Sequence, residues 1–189
     1  MKKKITIYCA SSKNIEKKYL YEAYRLGRLA AENGFEIIYG GGNIGMMGEL
    51  ANGAIKHGGK VTGVIPEFLM DLELGHKGID KLIVVKDLHA RQRFMIENAD
   101  CIIALPGACG TFTELLESIT WKKLGRIICP IIIVNLNNYF DDLLNMLTKA
   151  IDEGFMREEH FKLWTVVDSI DDAVVKLYGN ENFVHFDIV

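Results

Sequence analysis

LPGACGTFTE, the stretch from Leu105 to Glu114, decides the fold more than any other part of this sequence. It follows an apolar run, Cys101–Leu105, that is typical of a buried strand. Apolar residues at helical spacing come after it, so the stretch predicts a strand-to-helix turn. Such a turn directs backbone N–H groups and the positive end of the helix dipole at one point. It therefore suits a phosphate, and Glu114 adds a carboxylate one turn into the helix.

A second glycine turn lies upstream. Phe35–Tyr39 is an apolar run, and Gly40–Gly45 follows it with the spacing G-x-G-x-x-G. By itself this spacing fits a tight turn with close helix–strand packing as well as it fits phosphate binding. Two such turns in one small chain favour the phosphate interpretation. We therefore expect both loops to contact a phosphorylated ligand.

Apolar strand patterns alternate with helical patterns along the whole chain. The run Ile131–Val134 is apolar at every position, as expected for a parallel strand covered on both faces. The predicted strands are Lys4–Ala10, Phe35–Tyr39, Lys60–Ile65, Lys81–Val85, Asp100–Leu105, Pro130–Asn135 and Trp164–Val167. The predicted helices are Glu16–Asn33, Gly45–His57, Leu88–Asn98, Thr111–Leu124, Tyr139–Glu153 and Ile170–Tyr178. This alternation predicts an α/β fold, a single Rossmann-like doubly wound domain over residues 1–189 with a mostly parallel sheet flanked by helices.

Composition and charge narrow the class of protein. The chain has 189 residues and a net charge of −3, a balance that gives no reason to expect nucleic-acid binding. The apolar residues Ile5–Ala10 behind the N-terminal lysines are too few for the core of a signal peptide. No apolar stretch approaches the roughly 18 residues needed to span a bilayer. We expect a cytoplasmic protein that binds neither nucleic acid nor membrane.

The number and spacing of the cysteines predict neither a disulfide framework nor a zinc site. The chain has 4 cysteines, and none forms a C-x-x-C pair. Three of them lie in or beside strand patterns, where cysteine usually acts as a small buried hydrophobe. Cys109 instead lies in the glycine turn near a helix N-terminus, where a thiol can become reactive. No histidine is near Cys109 in the sequence, so we expect contact through its backbone rather than a nucleophilic role.

Several polar residues follow predicted strands. Ligands of such sheets bind at the carboxyl ends of the strands. Ser11 and Ser12 follow the first strand, and Arg91 follows the fourth by a few residues, so all three should lie near the glycine loops. An arginine there can clamp a phosphate or stabilise charge that develops on a leaving group. His89, one histidine without a visible partner, is interpreted as structural.

The sequence resembles the LONELY GUY (LOG) family of phosphoribohydrolases. The family signature P-G-G-x-G-T-x-x-E appears over Pro106–Glu114, with Ala108 in place of the second glycine. The upstream family loop appears as Gly40–Gly48, and the first-strand ending C-G-S-S appears as Cys9–Ser12. The motif M-H-x-R-K appears over Leu88–Gln92, where the arginine is kept and the lysine is replaced by glutamine.

The resemblance covers about residues 5–156 and implies hydrolysis of the N-glycosidic bond of a nucleoside 5′-monophosphate to a free base and ribose 5-phosphate. In plants and some microbes the family releases cytokinins, and many bacterial members act on AMP or related nucleotides. A homodimer with active sites near the subunit interface is also implied, and we expect no cofactor and no metal. The implied catalytic pair is Arg91 and Glu114. The expected substrate-binding residues, taken from the motifs and from their places at strand ends, are Ser11, Ser12, Gly41, Gly42, Gly45, Met46, Glu73, Gln92, Gly107, Ala108, Cys109, Gly110, Thr111 and Thr120.

Two other interpretations stay open. A dinucleotide-binding oxidoreductase would account for the G-x-G-x-x-G spacing and for Glu67 after the third strand, but the chain is short for a nucleotide domain plus a substrate domain. A non-catalytic nucleotide or cofactor carrier on the same fold would account for Ala108 and Gln92, where the family pattern is lost. The presence of Arg91 and Glu114 favours catalysis.

Overall fold

Strands and helices alternate in the computed structural model, which describes residues 3–70 and 75–179. Within these ranges the strands are β1 (Lys4–Tyr8), β2 (Glu36–Tyr39), β3 (Lys60–Pro66), β4 (Lys81–Val85), β5 (Cys101–Ala104), β6 (Ile131–Val134) and β7 (Thr165–Val167). The helices are α1 (Lys17–Glu32), α2 (Gly45–Lys56), α3 (Leu88–Glu97), α4 (Cys109–Lys123), α5 (Asp141–Asp152) and α6 (Ile170–Gly179). Short 3₁₀ turns occupy Glu67–Leu69, Leu136–Asn138 and Glu158–Leu163.

All neighbouring strands of the sheet run parallel, in the order β4-β3-β2-β1-β5-β6-β7. The chain builds outward from β1 to β4 and then returns to place β5 on the other side of β1. The direction of strand addition therefore reverses between β1 and β5, and a crevice forms at the carboxyl ends of these strands. The predicted Rossmann-like α/β fold is confirmed.

Helices cover both faces of this sheet because successive strand residues point to opposite sides. Ile102 and Ile103 are both fully buried, one against each helical layer. Residues of α1, α2 and α6 pack on the Ile103 side, and residues of α3, α4 and α5 pack on the Ile102 side. Among the described residues, no helix combines the length and apolar character needed to cross a bilayer.

Two helix starts differ by two residues from the sequence prediction. Helix α4 begins at Cys109 instead of Thr111, because the last residues of the glycine turn already have helical geometry. Helix α5 begins at Asp141 instead of Tyr139. The reason is that Phe140, the N-cap residue, has a φ of −93° and a ψ of 4°, outside the helical range. Asn137 and Asn138, just before Tyr139, adopt left-handed backbone conformations with φ angles of 54° and 60°.

Candidate active site

A cavity of about 160 Å³ lies at the carboxyl ends of β1 and β5, where the strand order reverses. Its walls combine the end of β1, the start of α2, one side chain of α3 and the first turn of α4. The lining residues are Cys9, Ala10, Ser11, Ser12, Met47, Arg91, Ala108, Gly110, Thr111 and Glu114. A larger cavity of about 330 Å³ opens at the amino ends of the strands, beside Phe35, Cys101 and Pro130. That cavity lies away from the edge where ligands of this fold bind.

Backbone hydrogen bonds join the loops that form the cavity. The Ala10 N–H donates to the Pro106 carbonyl at 3.1 Å, and the Met47 N–H donates to the Ala10 carbonyl at 3.2 Å. Ala10 thus binds the loop after β5 and the first turn of α2, and β1 ends at Tyr8 and not at Ala10 as its apolar pattern predicted. The three loops after β1, β2 and β5 thus hold each other in place.

The N-terminus of α4 forms one wall of the cavity. Ala108 is the N-cap residue, and the Phe112 N–H closes the first turn on the Ala108 carbonyl at 2.9 Å. The N–H groups of the first helical residues have no carbonyl to bind within the helix, and they carry the positive end of the dipole. Ala108 has a φ of −103°, which alanine adopts without strain. Its replacement of a signature glycine therefore leaves the backbone of this turn unstrained.

Arg91 and Glu114 form a buried ion pair inside this cavity. Arg91 Nη2 lies 3.1 Å from Glu114 Oε1, and the two side chains are only 7% and 6% exposed. Arg91 reaches this position because α3 starts directly after β4, where the Asp87 carboxylate caps the helix by accepting from the Ala90 N–H at 2.7 Å. That hydrogen bond holds the pKa of Asp87 below its ordinary value. The pair places a carboxylate and a guanidinium, shielded from water, beside the N-terminus of α4.

A hydrogen-bond chain through Ser118 connects α4 to β1. Ser118 Oγ donates to the Glu114 carbonyl at 2.8 Å and lies 3.0 Å from the Tyr8 hydroxyl. Burial raises the pKa of Tyr8 well above its ordinary value, and the nearby Glu114 charge adds to the effect. Tyr8 therefore stays protonated and acts as a fixed support for the helix that carries Glu114.

The glycine loop after β2 shapes the cavity from behind. Gly41 packs against Ile65 and Leu82, and its carbonyl accepts from the His76 N–H at 2.9 Å. Gly42 forms an isolated bridge with Gly75. None of these glycines is among the residues that line the cavity. Their predicted contact with substrate stays a prediction, and the observed geometry matches the close-packing interpretation of the loop.

Gly45 joins this loop to the end of β1. A Cβ on Gly45 would lie 2.3 Å from the Ser12 carbonyl oxygen, and the φ of Gly45 is +62°. Glycine is therefore required both for the left-handed conformation and for the close approach of the two backbones. This contact positions Ser11 and Ser12 on the cavity wall.

Gly45→Ala should lower the free energy of unfolding by about 2–5 kcal/mol, since the methyl adds backbone strain of ~1–2 kcal/mol to a steric overlap of ~1–3 kcal/mol. Thermal denaturation would show this as a fall in Tm of roughly 4–20 °C for a chain of this size. Gly34→Ala is the matched control, because Gly34 has a φ of +75° but no atom within 4 Å of the added methyl. Equal losses in the two variants would show that the contact with Ser12 is not a constraint.

Several other predicted residues do not line the cavity. Gln92 is buried, and its side-chain amide donates to the Thr113 carbonyl at 3.1 Å, so it ties α3 to α4. Thr120 is exposed on α4, roughly 9 Å along the helix from Glu114, and its hydroxyl donates to the Leu116 carbonyl. Met46 is fully buried in the core, so only its backbone could reach a substrate. Glu73 lies outside the described residues.

Met47 lines the cavity and is absent from the predicted site residues. The prediction names its neighbour Met46, but the two side chains point to different sides because a helix turns by about 100° per residue. Cys9 and Ala10 also line the cavity. Their place in the motif Cys9–Ser12, directly after a strand, was the signal that could have identified them.

The remaining motif residues lie on or behind the α4 wall. Gly107 is buried, and an added Cβ there would lie 2.0 Å from Thr111 Oγ1, so the two residues fit only because Gly107 lacks a side chain. Gly110 and Thr111 line the cavity, and Cys109 is exposed in the same turn. Among the described residues, no group of three or more His, Cys, Asp and Glu side chains could hold a metal ion.

Fold and cavity together define a doubly wound α/β protein in which a helix N-terminus lies beside a buried arginine–glutamate pair. The family model described as "possible lysine decarboxylase" matches residues 47–177, more than half of the chain. The chain is 42% identical over 155 residues to LOG7 of Arabidopsis thaliana, a cytokinin riboside 5′-monophosphate phosphoribohydrolase, covering 82% of this chain and 71% of that protein. It is 38% identical over 176 residues to a protein of Rhodococcoides fascians with the same enzyme name, covering 93% and 89%. The chain belongs to the LOG family.

Solved structures share the same architecture. The molybdenum cofactor carrier protein of Chlamydomonas reinhardtii aligns with a TM-score of 0.72 at 20% identity, covering 95% of this chain and 98% of that protein. The molybdenum cofactor binding protein of Rippkaea orientalis aligns with a TM-score of 0.73 at 23% identity, covering 95% and 97%. At this level of identity the likeness shows the fold alone.

Proposed function

We propose that this protein is an N-glycosyl hydrolase of the cytoplasm, which cleaves a nucleoside 5′-monophosphate to a free base and ribose 5-phosphate. The observation that carries the proposal is the buried Arg91–Glu114 pair, which shares one cavity with the N-terminus of α4. The relatives named as phosphoribohydrolases, which align over most of this chain, support the same reaction.

The 5′-phosphate is assigned to the first turn of α4. Its N–H groups and the helix dipole favour an anion there, and the lining residue Gly110, which is exposed and lacks a side chain, leaves the backbone accessible. Ser11 and Ser12 face this turn from the end of β1 and can bind phosphate or ribose oxygens. Fixing the phosphate at this end holds the ribose in one orientation, with the anomeric carbon towards Glu114.

Glu114 is assigned to stabilise the ribose as the glycosidic bond breaks. The transition state of such a reaction carries oxocarbenium-like positive charge, which a nearby carboxylate favours. The electron pair of the C1′–N bond leaves with the base, and water supplies the hydroxyl group at C1′ and, in the overall balance, the proton on the base. The Arg91 guanidinium, 3.1 Å from Glu114, favours the ionised carboxylate and fixes its orientation.

AMP or an N6-substituted AMP, such as a cytokinin riboside 5′-monophosphate, is the proposed substrate, because relatives of this chain bear that enzyme name. The description of the family model suggests lysine decarboxylation instead. Among the described residues that line the cavity, none is a lysine that could hold pyridoxal phosphate as a Schiff base. The side chains present therefore do not fit that cofactor.

A panel of nucleoside monophosphates tests the proposal directly. Incubation with the folded protein should release adenine from AMP or from an N6-substituted AMP, detected by chromatography together with ribose 5-phosphate. Binding of nucleotide without any free base across the panel would contradict the hydrolase and would favour a carrier. Binding of NADH in place of monophosphates, measured by fluorescence titration, would favour a dinucleotide enzyme.

A homodimer is also proposed. Its support in the structure is a set of exposed apolar side chains on neighbouring elements at the β4 edge of the sheet, with Phe68, Val84 and Leu88 exposed by 55%, 52% and 46%. Burial of such side chains against a second copy would stabilise a dimer. Light scattering at micromolar concentration should return twice the mass of the chain, and a monomer mass would contradict the proposal.

A further inference from the structure

Tyr139 reaches the anion-binding turn from a different part of the sheet. It lies in the loop between β6 and α5, and its hydroxyl donates to the Gly107 carbonyl at 2.7 Å. Gly107 is the buried residue directly before the N-cap of α4. Tyr139 itself does not line the cavity. The hydrogen bond therefore acts on the backbone of the turn, behind the surface that a substrate would contact.

The loop that carries Tyr139 is held in an unusual conformation. Asn137 and Asn138, directly before the tyrosine, both have left-handed φ angles, 54° and 60°. Two consecutive left-handed residues other than glycine are costly and persist only where the surroundings enforce them. Asn135 supplies part of that constraint, because its side chain accepts from the Phe140 N–H at 2.7 Å and donates to the Asp141 carboxylate at 2.7 Å.

Aromatic neighbours fix the ring of Tyr139 from two sides. The Tyr19 ring of α1 lies edge-on at 6.2 Å between centroids, and the Phe140 ring lies perpendicular at 5.3 Å. Such edge-to-face contacts favour one ring orientation over others. The constrained loop and the two rings together direct the Tyr139 hydroxyl at one atom, the Gly107 carbonyl oxygen.

The orientation of this carbonyl determines the orientation of the next N–H. In a trans peptide the Gly107 carbonyl and the Ala108 N–H lie in one plane and point in opposite directions. Because the Gly107 carbonyl points to Tyr139, which does not line the cavity, the Ala108 N–H points away from Tyr139, and Ala108 lines the cavity. A rotated peptide would instead present the carbonyl oxygen to the cavity, and the partial negative charge of that oxygen would repel an anion.

We propose that Tyr139 is a positioning residue for the 5′-phosphate, which fixes the Gly107–Ala108 peptide with its N–H towards the anion. This inference rests on the proposed function, since it assigns a phosphate to the α4 turn. The Thr111 side chain lies close to Gly107, where only a glycine leaves room for it. The residue that controls the phosphate site would thus lie 32 positions away in the sequence.

Tyr139→Phe removes the hydroxyl and keeps the ring. We expect it to weaken binding of inorganic phosphate and of ribose 5-phosphate by about threefold to tenfold in calorimetry, the range that one hydrogen bond between neutral groups supplies. KM for AMP should rise by the same factor, and kcat should change by less than about twofold, because the phosphate is still bound at saturation. Binding of adenosine, which lacks the phosphate, should not change. Tyr21→Phe is the matched control, a tyrosine of α1 that is 64% exposed.

A second pair of variants tests the loop without removing the hydroxyl. Asn138→Gly accepts the left-handed φ and should bind phosphate like the wild type, whereas Asn138→Val cannot adopt that φ and should weaken phosphate binding as Tyr139→Phe does. Unchanged phosphate affinity in both Tyr139→Phe and Asn138→Val would overturn the inference. A loss of adenosine binding in these variants as large as the loss of phosphate binding would also overturn it. A wild-type protein that binds neither phosphate nor ribose 5-phosphate would instead remove the proposed function, and this inference with it.

Discussion

Glu114→Gln should lower kcat for AMP by at least about a hundredfold while substrate binding and the fold are kept. The amide has nearly the shape of the carboxylate, and its oxygen can still accept from Arg91, which lies 3.1 Å away. It lacks the negative charge that stabilises the ribose in the transition state, and loss of one such electrostatic stabiliser costs roughly 10²–10³ in kcat. Steady-state release of adenine, with calorimetric binding of AMP, measures both parts of the expectation.

Glu117→Gln is the matched control for this experiment. Glu117 lies one turn further along α4 and does not line the cavity, so the same chemical change there should leave kcat within about twofold. Arg91→Ala should reduce turnover to a similar extent as Glu114→Gln, because it removes the guanidinium that orients the carboxylate. Near-normal turnover in Glu114→Gln would show that the family's catalytic position does not apply to this residue.

Adenosine should be a very poor substrate beside AMP. The first turn of α4 offers several N–H donors to one phosphate dianion, and a charge-assisted hydrogen bond contributes roughly 1.5–3 kcal/mol. Loss of only two such bonds would cost about 3–6 kcal/mol, or a factor between ~100 and ~10,000 in kcat/KM. Turnover should fall together with binding, because the bound phosphate also holds the ribose in place. Parallel kcat/KM measurements on the two compounds test this.

Adenosine 3′-monophosphate is a useful control, since it carries the same charge at the wrong position and should be as poor a substrate as adenosine. Inorganic phosphate and ribose 5-phosphate should inhibit competitively against AMP. Comparable kcat/KM values for adenosine and AMP would mean that the α4 turn does not bind the phosphate. The proposal that the nucleotide binds at the carboxyl ends of the strands would then have to be abandoned.

The sequence alone determined which segments are strands and helices and which of them face a core. Ile131–Val134 is apolar throughout because parallel strands are buried on both faces, and this local pattern identifies β6 without any knowledge of its neighbours. The turn from Leu105 to Glu114 is equally local. The order strand, glycine, helix predicts its proposed anion-binding character, and the family resemblance predicts Arg91 and Glu114 as the catalytic pair from residues that can be read directly.

The tertiary structure decided which of these residues meet. No local pattern states that β5 returns to the side of β1, yet this strand order places Ser11 opposite Ala108. It also decided that Met47 rather than Met46 faces the cavity, that Gln92 binds the Thr113 carbonyl, and that Tyr139 reaches Gly107. Hydrophobic periodicity reports whether a side chain is buried but not what it is buried against. That choice depends on the packing of elements far apart in the sequence, which only the folded chain defines.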